Sequence, residues 1–103
     1  MGAQLLVLYA PPADPAAFYA YYLGTHVPIA KRMPGLRSYT INKGPVSGGA
    51  AASPYYLIAI LEFDSIEALG AAAASPEGQA ASADVVNFGM AGVTVLTYET
   101  TTV

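Results

Sequence analysis

The hydrophobic pattern divides the chain into strand and helix segments separated by proline and glycine. Residues 3–9 hold a continuous apolar run, Leu5, Leu6, Val7 and Leu8, that Pro11 and Pro12 end, which predicts a buried strand. Asp14 before Pro15 forms a cap with proline at the first helical position, and residues 16–24 carry good helix formers and aromatics without a breaker. Pro28 disfavours helical geometry at Val27, so this helix is expected to kink or stop near His26, with residues 29–33 adding one turn before Pro34 and Gly35. Residues 36–43 alternate Tyr39 and Ile41 with Ser38 and Thr40, and residues 54–64 carry Tyr55, Tyr56, Ile58 and Ile60; both segments read as strands. Between them, residues 44–53 are rich in Gly, Ala and Ser and read as a mobile hairpin loop that builds no core. Ser65 caps a helix that continues through residues 68–74, Ser75, Pro76 and Glu77 restart a second helical piece toward Val85, and residues 92–101 alternate as a last strand.

The resulting order, βαββαβ, predicts an α+β fold of the ferredoxin-like type, with helices covering one face of a four-stranded antiparallel sheet. At 103 residues the chain fits a single domain over residues 1–103. In the strand over residues 54–64 one face carries Tyr55, Leu57, Ala59, Leu61 and Phe63 and the other Tyr56, Ile58 and Ile60, so both faces are apolar. Two helices cover only one of them. The other face is expected to meet its own copy in an isologous homodimer whose two sheets form a barrel-like core.

Composition narrows the function classes. Hydrophobic residues make up 54% of the chain and charged ones 11%, against roughly a quarter charged in an ordinary domain. The long uncharged runs are nevertheless too interrupted for a membrane span, residues 44–61 by Pro45, Gly48, Gly49 and Pro54 and residues 85–98 by Asn87, Gly89 and Gly92. The N-terminus lacks a basic signal-peptide region, so a cytoplasmic protein is the expectation. The absence of cysteine removes disulfides, thiolate metal sites and a cysteine nucleophile. A net charge of −3 argues against nucleic acid as a partner, since such binding relies on clustered Lys and Arg.

The candidate chemistry gathers at His26, the single histidine, in the run Tyr19 to Pro28. Tyr19, Tyr22 and His26 stand at i, i+3 and i+7, which places them on one side of a continuous helix. Imidazole exchanges a proton near neutrality, and a phenol donates a hydrogen bond to a developing oxyanion or orients the imidazole. The ordinary reading stands beside this one: two core aromatics and a histidine at a helix end. All four basic residues, Lys31, Arg32, Arg37 and Lys43, follow His26 closely, as a local positive field for an anionic ligand or as a solvated turn, with Arg32 or Lys31 the one nearest a ligand. The seven acidic residues are scattered, no spacing of His and carboxylates builds a metal site, and there is no glycine-rich phosphate loop.

The segment Tyr21, Tyr22, Leu23, Gly24, Thr25, His26, Val27, Pro28, then Met33, Pro34, Gly35, Leu36, Arg37, Ser38, Tyr39, then Phe63, Asp64, Ser65 and finally Asp84, Val85, Val86, Asn87, Phe88 resembles the EthD family. That family is named for ethyl tert-butyl ether degradation and lies within the dimeric α+β barrel superfamily. The resemblance implies a homodimer with a cavity between helices and sheet in each subunit. It implies His26 as acid or base, Tyr22 beside it, Tyr39 as a hydrogen-bonding or lining residue, and Phe63, Asn87 and Phe88 along the wall. It also implies an enzyme without a cofactor that isomerises, cyclises or dehydrates a small hydrophobic, aromatic, lactone or polyketide-like molecule. The alternatives are a non-catalytic dimer that binds such a molecule in a degradation pathway, and a haem protein with His26 as axial ligand.

Overall fold

The structure, a computed structural model, describes residues 2–49 and 51–103, with only the backbone of Ala51 and Ala52. Its elements run β1 (Ala3–Tyr9), α1 (Pro15–Tyr21), a π-helical turn (Tyr22–His26), α2 (Val27–Ala30), β2 (Ser38–Ile41), β3 (Ser47–Gly48), β4 (Ala51–Ala52), β5 (Leu57–Phe63), α3 (Ile66–Ala74), α4 (Pro76–Asp84), a 3-10 turn (Val85–Asn87) and β6 (Val93–Glu99). Strands β2-β5-β1-β6 form one sheet in that order, and every pair in it is antiparallel. This is the ferredoxin-like α+β arrangement that the element order predicts.

Side-chain parity decides which face is core. Ala3, Val7 and Tyr9 of β1 and Leu57, Ala59, Leu61 and Phe63 of β5 are buried beneath the helices, whereas Leu6, Leu8, Ile58 and Ile60 on the other face are only half-buried. Phe18 and Tyr22 descend from the first helical segment into the same core, and Leu69 and Ala72 descend from α3. Tyr9 sits among Phe18, Tyr22 and Phe88, with ring centroids 5.4–5.6 Å apart in edge-on or tilted contacts, the geometry that aromatic quadrupoles favour. The helices leave β6 uncovered, and Val95 is 55% exposed on the side that faces them.

One expectation is corrected and another is refined. The helix does not stop at His26: Val27 is helical at φ −57° and ψ −45°, and the chain stays helical through Ala30. A proline at position 28 has no N–H and would crowd the carbonyl four residues back. The π-turn removes the conflict by widening the turn, with the Val27 N–H donating five residues back to the Tyr22 carbonyl. The segment read as a hairpin loop also carries a small antiparallel ladder, Ser47 opposite Ala52 and Gly48 opposite Ala51. Ala50, inside that segment, lies outside the described residues.

Candidate functional site

A cavity of about 260 Å³ lies between the helices and the sheet. Its walls are almost wholly apolar: Leu5, Val7, Ala59 and Leu61 from the sheet floor, Ala30 and Met33 after the π-turn, and Leu69, Ala81 and Val85 from the helices above. Four groups break that character, His26, Tyr9, Tyr22 and Tyr39, with Ser82 and Thr97 at the edges. No Lys, Arg, Asp or Glu lines it among the described residues.

The π-turn sets His26. It brings the ring onto Tyr22, centroids 5.4 Å apart, and onto Phe88, 4.6 Å away, with 5% of the residue exposed. Nδ1 lies 2.9 Å from Oδ2 of Asp84. A carboxylate only accepts, so Nδ1 carries the proton and Nε2 presents its lone pair. Among the described residues Nε2 has no hydrogen-bonding partner, and no buried side-chain N or O is left unsatisfied. Nε2 is therefore not sealed off, and His26 is among the residues that line the cavity.

Asp84 closes α4, where the helix dipole disfavours a negative charge. Three side-chain donors compensate: Tyr21 Oη at 2.7 Å and Asn87 Nδ2 at 3.0 Å on Oδ1, and His26 on Oδ2. Burial pushes the Asp84 carboxyl upward, and these hydrogen bonds together with the neighbouring imidazole outweigh it, holding the group below the usual carboxylate range. For His26 the balance runs the other way. Burial pulls its pKa below the usual value, against the upward pull of Asp84, so the ring is neutral near pH 7.

Tyr22 and Tyr39 form a second polar element, their hydroxyls 2.6 Å apart. Burial raises both pKa values, so the two phenols stay protonated. One donates to the other, which leaves a single O–H of the pair able to donate elsewhere.

Of the residues singled out from the sequence, His26, Tyr22 and Tyr39 line the cavity together, Phe88 packs behind His26, and Asn87 reaches the site only by holding Asp84. Tyr19 does not join them. α1 turns Phe18 and Tyr22, one helical turn apart, into the core, which leaves Tyr19 39% exposed beside Tyr55 and Tyr56, and the extra residue of the π-turn moves His26 off Tyr19's side of the helix by about 100°. Phe63 is buried at the far end of the sheet beside Gly2 and Arg37, outside this cavity. Arg32 and Lys31 are exposed, and Arg37 is engaged with Asp64 at 2.9 and 2.7 Å, so the basic cluster does not face the cavity. Asp84 itself was hidden among scattered acids, 58 residues from His26. Its signal was its place at the head of the segment Asp84 to Phe88 that resembles the EthD family, with Asn87 one helical turn onward. Tyr9 was legible by parity with Leu5 and Val7, as the last residue of a buried strand face.

Known proteins are similar to this chain in sequence and fold. A protein from the thcB–thcC intergenic region of Rhodococcus erythropolis, described as an uncharacterised 11.0 kDa protein, is 43% identical over 93 residues, 90% of this chain and 89% of that one. The crystal structure of an ethyl tert-butyl ether degradation (EthD) family protein, BH0200 of Bacillus halodurans, superposes with a TM-score of 0.89 at 31% identity, covering 98% of this chain and all of the other. Two more distant structures share the fold alone. One is a dimeric ferredoxin-like protein of Thermobifida fusca (TM-score 0.70, 17% identity, 97% and 92% of the two chains), and the other is SnoaB, a cofactor-independent oxygenase of Streptomyces nogalater (0.68, 14%, 99% and 95%). The EthD domain profile matches residues 10–89, which span the π-turn, His26 and Asp84 alike, and the chain belongs to the EthD family.

Proposed function

We propose that this protein is an enzyme that moves a proton on a small hydrophobic molecule, with His26 as the acid or base and side chains alone supplying the chemistry. One observation carries the reading: a buried imidazole whose Nδ1 is held by a carboxylate and whose Nε2 opens on an apolar cavity. Neutral at pH 7, Nε2 is a base. Once it has accepted a proton, the Asp84 carboxylate offsets part of the cost of a buried imidazolium. The Tyr22–Tyr39 pair supplies an O–H donor for oxygen on the bound molecule, which suits isomerisation, cyclisation or dehydration.

Proton exchange is measurable even where the product of the reaction is unidentified. The protein is incubated in D2O with uncharged ketones, lactones and phenols, and deuterium incorporation is followed by NMR. Substituting His26→Gln is expected to reduce incorporation by roughly 10²–10⁴-fold, the usual span of acid–base catalysis, with the circular dichroism spectrum unchanged. An unchanged rate sinks the proposal. Ligands that bind with equal affinity between about pH 5 and 8 and never exchange mark instead a non-catalytic binding protein.

The working form we propose is a homodimer joined through the helix-free sheet face. There Leu6 pairs with Ile60 and Leu96, and Leu8 pairs with Ile58, giving an apolar patch across three strands. A polar ladder closes one end of it: Tyr98 Oη donates to Gln4 Oε1 (2.7 Å), Gln4 Nε2 to Glu62 Oε1 (2.7 Å) and Ser38 Oγ to Glu62 Oε2 (3.0 Å). An apolar centre with a polar rim is the anatomy of an isologous interface, and the dimeric ferredoxin-like protein of Thermobifida fusca supports the reading. Ile60→Lys is expected to convert a dimer to a monomer in sedimentation velocity at low micromolar concentration. A wild-type monomer would contradict it.

A further inference from the structure

The proton-transfer reading leaves one cavity group without a task. Tyr9 is 1% exposed, yet its hydroxyl has no hydrogen-bonding partner among the described residues. No buried side-chain oxygen is left unsatisfied there, so space the size of a water molecule reaches this hydroxyl, and for a residue so buried that space is the cavity it lines. Phe18, Tyr22 and Phe88 clamp its ring from three sides, which fixes where the O–H is. A folded protein rarely leaves such a donor idle.

From this the geometry points to Tyr9 as a substrate-binding hydroxyl that, with the Tyr22–Tyr39 pair, holds the carbonyl oxygen of a small uncharged ketone, aldehyde or lactone while His26 Nε2 faces its α-carbon. Three features set the class. Two separate phenolic donors match an oxygen that gains negative charge, since a carbonyl oxygen has two lone pairs. Among the described residues the cavity offers no cation to a carboxylate or phosphate, and Asp84 lies directly behind His26, so an anionic ligand would be buried unpaired. The volume of about 260 Å³ lies below the range of drug-sized sites, which limits the ligand to about one or two rings. Burial, with Tyr39 and Asp84 nearby, keeps the Tyr9 phenol protonated and hence a donor.

The chemistry balances without an outside reagent. The α C–H bond breaks, its proton goes to Nε2, its electron pair forms the C=C bond of an enolate, and the carbonyl π pair moves onto the oxygen that the phenols hold. Return of the proton from Nε2 to a different atom of the enolate gives the isomer and restores His26.

This inference rests on the proton-transfer reading of His26, and binding separates the two. Acetophenone, cumene and benzoate share one skeleton and differ in bearing a carbonyl, no polar group or a carboxylate. Their affinities for the full-length protein are measured at pH 8, where His26 is neutral, by ligand-observed NMR titration. Wild type is expected to prefer acetophenone to cumene, and to bind benzoate at least tenfold more weakly than acetophenone. Tyr9→Phe is expected to lower the acetophenone preference by about tenfold and leave cumene unchanged, and to slow acetophenone α-deuteration. An unaltered preference in Tyr9→Phe overturns the inference, as does benzoate binding equal to acetophenone. So does loss of cumene binding, which would make the hydroxyl a support of the cavity. Correct discrimination with α-deuteration indifferent to His26→Gln keeps the carbonyl site and removes the catalytic reading.

Discussion

Replacing Asp84 by Asn is expected to lower the proton-transfer rate by roughly 10²–10⁴-fold, as much as losing the base, although the change leaves volume and shape in place. The reason lies in the count of donors around the carboxylate. Tyr21 and Asn87 both donate to Oδ1, and only His26 donates to Oδ2. An amide has one acceptor oxygen, and it settles where two donors converge. Its NH₂ group then faces Nδ1 and must donate, so Nδ1 becomes the acceptor and the ring proton moves to Nε2. The lone pair that faces the cavity is lost. Nitrogen-15 NMR of the imidazole reads this directly: the protonated nitrogen should be Nδ1 in the wild type and Nε2 in the variant. Persistence of the Nδ1–H form together with a large rate loss would refute the tautomer argument.

The pH profile carries a second signature of the same change. Neutral His26 is the active form, so the wild-type rate should fall as pH drops through a pKa below the usual value of about 6.5 and stay flat above it. In Asp84→Asn the two upward pulls on His26, the hydrogen bond to the carboxylate and its charge, are gone, and burial acts alone. The acid limb of the variant should therefore move to lower pH while the plateau drops. An acid limb that moves to higher pH would contradict the upward pull assigned to Asp84.

The fold was readable because its signals are local and periodic. Alternation in residues 57–63, the Asp14-Pro15 and Ser75-Pro76 caps and the apolar run of β1 each decide their own segment, and the antiparallel sheet follows from their order. The candidate site was readable only on one side. His26, Tyr22 and Tyr39 stood out by residue type, but the partner of His26 comes from an element closed 58 residues later, and although Asp84 heads a segment that resembles the family, nothing in its local pattern pairs it with His26. The π-turn was the harder feature. Propensity treats Pro28 as a breaker, whereas the chain keeps its helix by widening one turn, and that single change of phase takes His26 out of line with Tyr19 while His26 lines the cavity. Tyr19, Phe63 and Arg32 lie outside this cavity because their places are set by helix face, strand end and turn exposure, which residue type does not report.

Gly78→Ala is expected to be the most destabilising single methyl that can be added to this protein. Gly78 stands in the first turn of α4, where the chain has just left α3 through Ser75, and Ser75 Oγ both donates to the Ala72 carbonyl and accepts from the Gly78 N–H at 3.0 Å. That double use of one hydroxyl draws the start of α4 onto the end of α3. A Cβ at position 78 would overlap the backbone carbonyl oxygen of Ala72 and come within 2.7 Å of that of Ala73. Backbone cannot rotate away as a side chain does, so α4 must shift and the Ser75 cap must open. Overpacking costs about 1–3 kcal/mol and a lost cap about 1 kcal/mol. Together they lower the melting temperature by roughly 10–20 °C for a domain of this size. The displacement reaches the site as well, because Gly78, Ala81 and Ser82 line the cavity and Asp84 ends the same helix. Gly70→Ala is the matched control: it lies within α3 with nothing within 4 Å of an added Cβ, and the better helix propensity of alanine should stabilise the protein by about 0.5–1 kcal/mol. The same chemical change is thus expected to move the melting temperature in opposite directions at two positions eight residues apart. A Gly78→Ala protein that melts within a degree or two of wild type would show that α3 and α4 are not held together as tightly as the Ser75 hydrogen bonds require.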